Sequence, residues 1–113
     1  MGNSSLVKLT IKYFKRRGYQ LKQDAIQEGF SGVSRKFDLL VRLRGRLYPV
    51  WIRDWKRTVG VNVVINIDKA SEDAGLSNPI LVAEKFSDHA KAYANRRGVK
   101  LITASEIRRS LRY

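Results

Sequence analysis

The chain has 113 residues and a formal net charge of +13, because 23 Lys and Arg face only 10 Asp and Glu. Hydrophobic residues make up 43%, which excludes a disordered tail, and the absence of cysteine excludes disulfides, thiolate metal sites and cysteine nucleophiles. No apolar run approaches the ~18 residues of a membrane span, and no signal-peptide core is present. We therefore expect a cytoplasmic protein of one domain, residues 1–113, with a polyanion as its partner and no membrane contact.

The amino-terminal half is predicted to contain one helix and three strands. Apolar residues at helical spacing predict a helix over Ser4–Arg17. Strands are predicted over Tyr19–Gln27, Lys36–Leu43 and Leu47–Trp55. Pro49 lacks an N–H, so it predicts a bulge or an edge position within the third strand.

The carboxy-terminal half is predicted to alternate between helices and strands. Val59–Ala74 has apolar residues that fit either a strand or a helix, and its polar end followed by Gly75 favours a helix. The remaining elements are a strand over Pro79–Ala83, a helix from its Ser87 cap to Arg97, a strand over Val99–Thr103 and a helix over Ala104–Leu111. The order α-β-β-β-α-β-α-β-α predicts an α/β fold, with a central mixed sheet flanked by helices.

Two acidic residues and a lysine lie on the second and third predicted strands. Asp38 interrupts an apolar strand, and Asp54 precedes Lys56 by two positions near the end of the next strand. Residues two apart on a strand share a face, so Asp54 and Lys56 point the same way. Carboxylates that hold a hard divalent cation, with a lysine beside an activated water, are what metal-assisted phosphodiester cleavage requires.

The register of the hairpin between these strands decides whether the two carboxylates meet. A two-residue turn sets Asp38 opposite Trp51, on the face away from Asp54. A three-residue loop sets Asp38 opposite Ile52, which makes the two carboxylates diagonal neighbours on one face. A bulge in the third strand would also switch the register. The sequence leaves these alternatives open.

A purely structural role for these charges is the competing interpretation. Asp38 would then pair with Arg35 or Arg42, while Asp54 and Lys56 would be surface charges at the end of a strand. The DxK pattern by itself is common, so it does not decide between the two interpretations.

Basic and aromatic residues flank the candidate site in sequence. Arg35, Lys36, Arg53 and Arg57 are the residues we expect to contact nucleic-acid phosphates. Trp51 and Trp55 could stack on bases, but we expect them to cover one face of the sheet.

The order and spacing of these motifs resemble a known group of proteins. Residues 29–38 (Gly-Phe-Ser-Gly-Val-Ser-Arg-Lys-Phe-Asp) and Asp54-Trp55-Lys56 resemble the core of the PD-(D/E)XK nuclease superfamily. More narrowly, the chain is similar to the Mrr-like restriction endonucleases and their small archaeal relatives, including the helix-and-strand ending over residues 86–102. The resemblance implies a restriction-endonuclease-like core, with Asp38, Asp54 and the backbone carbonyl of Trp55 as metal ligands and Lys56 as the catalytic lysine. It also implies Mg²⁺ or Mn²⁺ as cofactor, DNA as substrate and a homodimer.

One departure from that group leaves two functions in view. Many members carry a Glu in the first helix, whereas the matching position here is Val7 and no acid lies between Met1 and Gln23. Glu28 would have to substitute from a different element. The leading hypothesis is a metal-dependent endodeoxyribonuclease directed by DNA shape or structure. The alternative is a catalytically inactive nucleic-acid-binding module on the same fold, with RNA not excluded as its ligand.

Overall fold

The computed structural model describes residues 5–112, which form an α/β fold with the expected order of elements. The elements are α1 (Ser5–Arg16), β1 (Gln20–Glu28), β2 (Ser34–Leu43), β3 (Arg46–Arg53), α2 (Val61–Asp73), β4 (Ile80–Ala83), α3 (Asp88–Arg97), β5 (Lys100–Thr103) and α4 (Ala104–Leu111). Ser4, the first residue of the predicted α1, lies outside the described part of the chain. None of the helices in residues 5–112 is both long and apolar enough to cross a membrane.

The five strands form one mixed sheet in the order β1-β2-β3-β4-β5. The first three strands pair antiparallel, and β3, β4 and β5 pair parallel. Strands that follow one another directly form the antiparallel hairpins, whereas the parallel pairs need the crossover helices α2 and α3. The predicted mixed sheet flanked by helices is therefore confirmed.

The hairpin between β2 and β3 has the two-residue turn. Leu43 pairs with Arg46, and the two residues between them have left-handed φ angles, 52° at Arg44 and 81° at Gly45. Positive φ at both central positions matches the right-handed twist of the flanking strands. The three-residue loop is therefore not formed. Nor is a bulge, because Pro49 pairs with Leu40 in an uninterrupted register.

Pairing also explains where the structure departs from the predicted ends. The strand β3 ends at Arg53 rather than Trp55, because its partner β4 ends at Ala83, which pairs with Arg53. Helix α2 begins at Val61 rather than Val59, because Val59 forms a parallel bridge with Phe86. Pairing between β3 and β4 begins at Val50, one residue after Pro49. The proline therefore lies where β3 has a neighbouring strand on one side only, which is an edge position for that residue.

The sheet separates two apolar layers. One contains Leu39, Val41 and the buried residues of α1 and α4, and the other contains the buried residues of α2 and α3. Strict alternation along β2 would place Phe37 on the same face as Leu39. Phe37 instead packs near Ala70 of α2. The strand pair is locally distorted between these positions: Asp24 of β1, which the register places opposite Asp38, has a φ of 50°.

Candidate functional site

Asp38 lies where β2 and β3 separate. The ladder between the two strands ends at the pair Leu39 and Val50. Beyond it, Oδ2 of Asp38 accepts a hydrogen bond of 2.6 Å from the backbone N–H of Ile52 and one of 3.5 Å from Nη1 of Arg53. The side chain therefore takes the place of a backbone partner, yet 40% of its surface remains open to solvent.

Arg53 is held between a carboxylate and two indole rings. Its guanidinium carbon lies 4.5 Å from the ring centre of Trp51 and 5.8 Å from that of Trp55. Burial lowers the pKa of Arg53, and the nearby carboxylate of Asp38 opposes that shift. An arginine keeps its charge in proteins despite such shifts, so the site contains a fixed cation.

The two tryptophans cover the sheet, as predicted. Trp51 packs against the apolar layer beneath α2, and its Nε1 donates a hydrogen bond of 2.9 Å to the carbonyl oxygen of Lys36. Trp55 packs against the neighbouring cluster, with the guanidinium of Arg57 4.3 Å from its ring centre. Tryptophan and arginine thus alternate at residues 51, 53, 55 and 57 and form cation–π pairs along the end of β3.

Asp38 and Arg53 open into a cavity of about 780 Å³ between the sheet and α2. Four cationic residues line this cavity, namely Arg35, Lys36, Arg53 and Lys69. The acidic residues in the lining are Asp24 and Asp38. The cavity is open to solvent and carries an excess of positive charge, so it suits an extended anion.

The predicted site residues divide into two groups. Asp38, Arg35, Lys36 and Arg53 line the cavity together. Asp54, Trp55, Lys56 and Arg57 do not line it; Asp54 and Lys56 are exposed on the segment after β3, and Trp55 and Arg57 line a separate depression beside the start of α2. The assignment of Asp54, Lys56 and the carbonyl of Trp55 to metal chemistry stays a prediction.

The groups around Asp38 do not fit a divalent metal ion. Continued by one residue, the register of the two-residue turn puts Asp38 across from Trp51, and the β3 side chain that contacts the carboxylate is Arg53 rather than an acid or a lysine. Oδ2 of Asp38 already accepts hydrogen bonds from the Arg53 guanidinium and from a backbone N–H. The positive charge of Arg53 at this position would repel a divalent cation. Within residues 5–112, no three His, Asp or Glu side chains converge as a metal-binding group.

Sequence reasoning missed several cavity residues. Asn66 and Lys69 come from α2 and reach the cavity only because that helix packs across β2. Asp24 lies opposite Asp38 in the register of β1 and β2, and it rather than Glu28 is the additional acid of the cavity. Only the β1–β2 pairing could have identified Asp24, since nothing in its sequence surroundings marks it.

A match in sequence extends over almost the whole chain. The family described as restriction endonuclease, the Mrr catalytic domain, matches residues 1–111. The chain belongs to this restriction endonuclease family. The resemblance seen in the motifs is therefore confirmed, and so is the restriction-endonuclease-like fold. No curated protein matches this family member in sequence.

Solved structures share the fold of this restriction endonuclease family member at low identity. The protein of unknown function AF1548 superposes with a TM-score of 0.80 at 20% identity, over 88% of this chain and 58% of that one. A repair endonuclease from Pyrococcus abyssi gives 0.65 at 15% identity, over 91% of this chain and 48% of that one. The protein VC1899 from Vibrio cholerae gives 0.67 at 14% identity, over 93% and 30%. The chain thus spans between 30% and 58% of the length of these proteins.

Proposed function

We propose that this restriction endonuclease family domain binds nucleic acid, with DNA as its partner, and that Arg53 supplies the central cation of its binding cleft. The observation that carries the proposal is the contact of the Arg53 guanidinium with Asp38, at the point of the sheet where the family resemblance implies a metal site. The proposal takes up the catalytically inactive module, whereas the family match over residues 1–111 supports the nuclease that the motifs first favoured.

The geometry around Arg53 supports a role in phosphate binding. The side chain is 25% exposed, so part of the guanidinium can reach a ligand in the cavity. The indole of Trp51 and the carboxylate of Asp38 restrict its rotamers, which reduces the entropy lost when it binds. A planar guanidinium can also donate two parallel hydrogen bonds to one phosphate.

The other cations of the cavity extend this surface. Arg35 and Lys36 come from β2, and Lys69 comes from α2 on the facing wall. With about four phosphate contacts, affinity for duplex DNA should fall roughly 100-fold between 50 and 200 mM salt. If the cleft binds DNA without a divalent ion, binding should not require Mg²⁺, and affinity in EDTA should be at least as high as in Mg²⁺, which competes for the phosphates.

A metal-dependent endonuclease is the second candidate, and the family match over residues 1–111 favours it. In this alternative Asp38, Asp54, the carbonyl of Trp55 and Lys56 would hold Mg²⁺ or Mn²⁺ and act on DNA. A cleavage assay separates the candidates. Supercoiled plasmid, linear duplex and a four-way junction are each incubated with Mg²⁺, Mn²⁺ or EDTA. Nicking that needs metal and is lost in Asp54→Ala would overturn the binding-only proposal.

A variant that restores an acid and a lysine on β3 tests directly whether Arg53 replaces a metal ion. The double variant Trp51→Glu/Arg53→Lys places a carboxylate and a lysine beside Asp38, in the arrangement that the resemblance describes. We expect this variant to bind Mn²⁺ in a calorimetric titration, whereas the native domain and the single variant Arg53→Lys show no comparable heat. Equal Mn²⁺ binding by the native domain would mean that Arg53 does not replace a metal.

Assembly and location also remain proposals. A homodimer would supply two clefts for the two strands of a duplex. Sedimentation of the domain alone and with a short duplex measures this directly, and a monomer in both conditions would contradict it. The single-domain organisation over residues 1–113 and the cytoplasmic location stay predictions.

A further inference from the structure

The hairpin that joins β1 and β2 exposes apolar side chains. In residues 5–112, the large hydrophobic side chains that are strongly exposed are Ile26, Phe30 and Val33, with exposures of 60%, 86% and 52%. All three belong to this one hairpin. Exposed apolar groups concentrated in one place mark a binding surface more often than scattered ones do.

The loop that carries Phe30 is fixed to α2 by the last residue of that helix. The backbone carbonyl of Asp73 accepts from the N–H of Phe30 at 2.8 Å. The carboxylate of Asp73 accepts from the N–H of Ser31 at 2.9 Å, from its hydroxyl at 2.7 Å and from Nε of Arg35 at 2.8 Å. The tip is therefore held by a network of hydrogen bonds, and Phe30 is presented in a defined position.

Glycines allow this close attachment. A Cβ at Gly29 would meet the carboxylate of Asp73, so only glycine lets the loop approach the helix end. The ring of Phe30 lies against Gly75, where a Cβ would come within 3.2 Å of its Cζ atom. One edge of the ring thus rests on the protein, while most of its surface faces solvent.

The surroundings of the hairpin indicate which partner meets this surface. Ile26 near the end of β1 and Ser34 at the start of β2 line the same cavity as Lys36 and Lys69, so the loop that carries Phe30 continues from the edge of a cationic cleft. A nucleic acid matches both features, because its phosphates suit the cleft and its base faces are apolar. A second copy of the chain carries the same charge of +13, so it does not complement the cationic cleft beside this hairpin.

We propose that Phe30 is a wedge that enters the base stack of a bound nucleic acid where stacking is interrupted, as at a gap, mismatch or branch. The inference rests on the proposed function, since phosphate contacts in the cleft must bring the duplex to the hairpin. Apolar side chains inserted at a base step are an established way of reading deformable sites, and a step whose stacking is already broken costs least to open. The wedge therefore selects interrupted duplexes over intact ones.

The test compares Phe30→Ala with Phe30→Leu, which keeps an apolar tip. Each protein is titrated with an intact duplex and with the same duplex carrying a single-nucleotide gap beside a fluorescent purine analogue. We expect the native domain to prefer the gapped duplex about tenfold, a size typical of aromatic stacking on a base, and to change the fluorescence of the analogue. Phe30→Leu should keep part of the preference and of the fluorescence change, because leucine also serves as an apolar wedge. Phe30→Ala should bind the intact duplex as the native domain does, without preference and without the fluorescence change.

Each outcome separates the wedge from the proposed function. If Phe30→Ala keeps the preference and the fluorescence change, the wedge is wrong. If the native domain binds both duplexes equally, the wedge is wrong while nucleic-acid binding stands. If no protein binds either duplex at low salt, the proposed function fails and the wedge fails with it. If Phe30→Ala changes only the sedimentation of the free protein, the hairpin is an interface between copies of the chain.

Discussion

Two aspartates of this domain each face an arginine and a backbone N–H, yet their surroundings suit them to different tasks. Asp73 accepts three hydrogen bonds at its carboxylate and is only 14% exposed. Asp38 has one short contact, to Ile52, and one long contact, to Arg53, and is 40% exposed. A carboxylate whose oxygens are all engaged fixes structure, whereas one that is partly open can influence a ligand.

Breaking the hydrogen bonds that attach the β1–β2 loop to Asp73 should have the largest effect on stability. A methyl group in Gly29→Ala would overlap the carboxylate of Asp73, so the loop must move away from α2. We expect the free energy of unfolding to fall by about 2 kcal/mol, as for other overpacked sites. Urea titration followed by circular dichroism measures it.

Gly60→Ala is the matched control, because a Cβ at Gly60 meets nothing within 4 Å. It should cost less than about 1 kcal/mol, the range of a weak helix cap. Equal losses in the two variants would show that the contact between Gly29 and Asp73 contributes nothing.

The Asp73 network should also make stability depend on acid. Hydrogen bonds from Ser31 and Arg35 lower the pKa of Asp73 from 3.8 to about 2. The depressed pKa means that its contribution is fully present above pH 3.8 and is lost as the pH falls through about 2. Urea titrations across this interval should show a decline that Asp73→Asn removes. An unchanged acid dependence in that variant would assign the decline to other carboxylates.

At the other aspartate, the expected effects are on binding. Arg53→Ala should weaken DNA binding about tenfold and lower the salt slope by roughly one unit, because one phosphate contact is lost. Arg57→Ala is the control, since Arg57 lies outside the cavity. Fluorescence anisotropy at several salt concentrations measures both. A larger loss in Arg57→Ala would move the binding surface to the segment after β3.

The smallest effect is expected from Asp38→Asn, and its sign is informative. Removing a negative charge beside Arg53 should raise DNA affinity about threefold, since the carboxylate no longer competes with a phosphate. Asparagine can still accept the hydrogen bond from Ile52, so stability should stay within about 1 kcal/mol of the native value. A strong loss of affinity instead would show that Asp38 positions Arg53 and that this positioning outweighs the repulsion.

Local signals in the chain predicted most of the architecture. The helix α3 begins at its Ser87 cap and ends at Gly98, where φ is 75°. The helix α4 begins at the capping box of Thr103 and Glu106. These helix ends depend on side chains only a few residues away, so they can be predicted from the amino-acid sequence. The helix predicted over Val59–Ala74 is also confirmed, because the apolar residues of α2 pack in the layer that it shares with α3.

The arrangement of the site was not predictable in the same way. The turn at Arg44 and Gly45 places a non-glycine residue at positive φ, a conformation that arginine does not signal. That single choice shifted β3 by one residue relative to the alternative register, and so placed Arg53 rather than Asp54 beside Asp38. Because side chains along a strand alternate between the two faces of the sheet, a register shift of one residue moves every side chain of β3 to the opposite face relative to β2.

The element order, the basic character and the family of this protein follow from the amino-acid order, because they depend on composition, periodicity and motif spacing along the chain. Which charges meet depends on the tertiary structure, which pairs Arg53 with Asp38 and Arg35 with Asp73 and brings Lys69 to the cavity across from β2. Those contacts join residues distant in sequence. Only the register of the strands and the packing of α2 across the sheet bring them together.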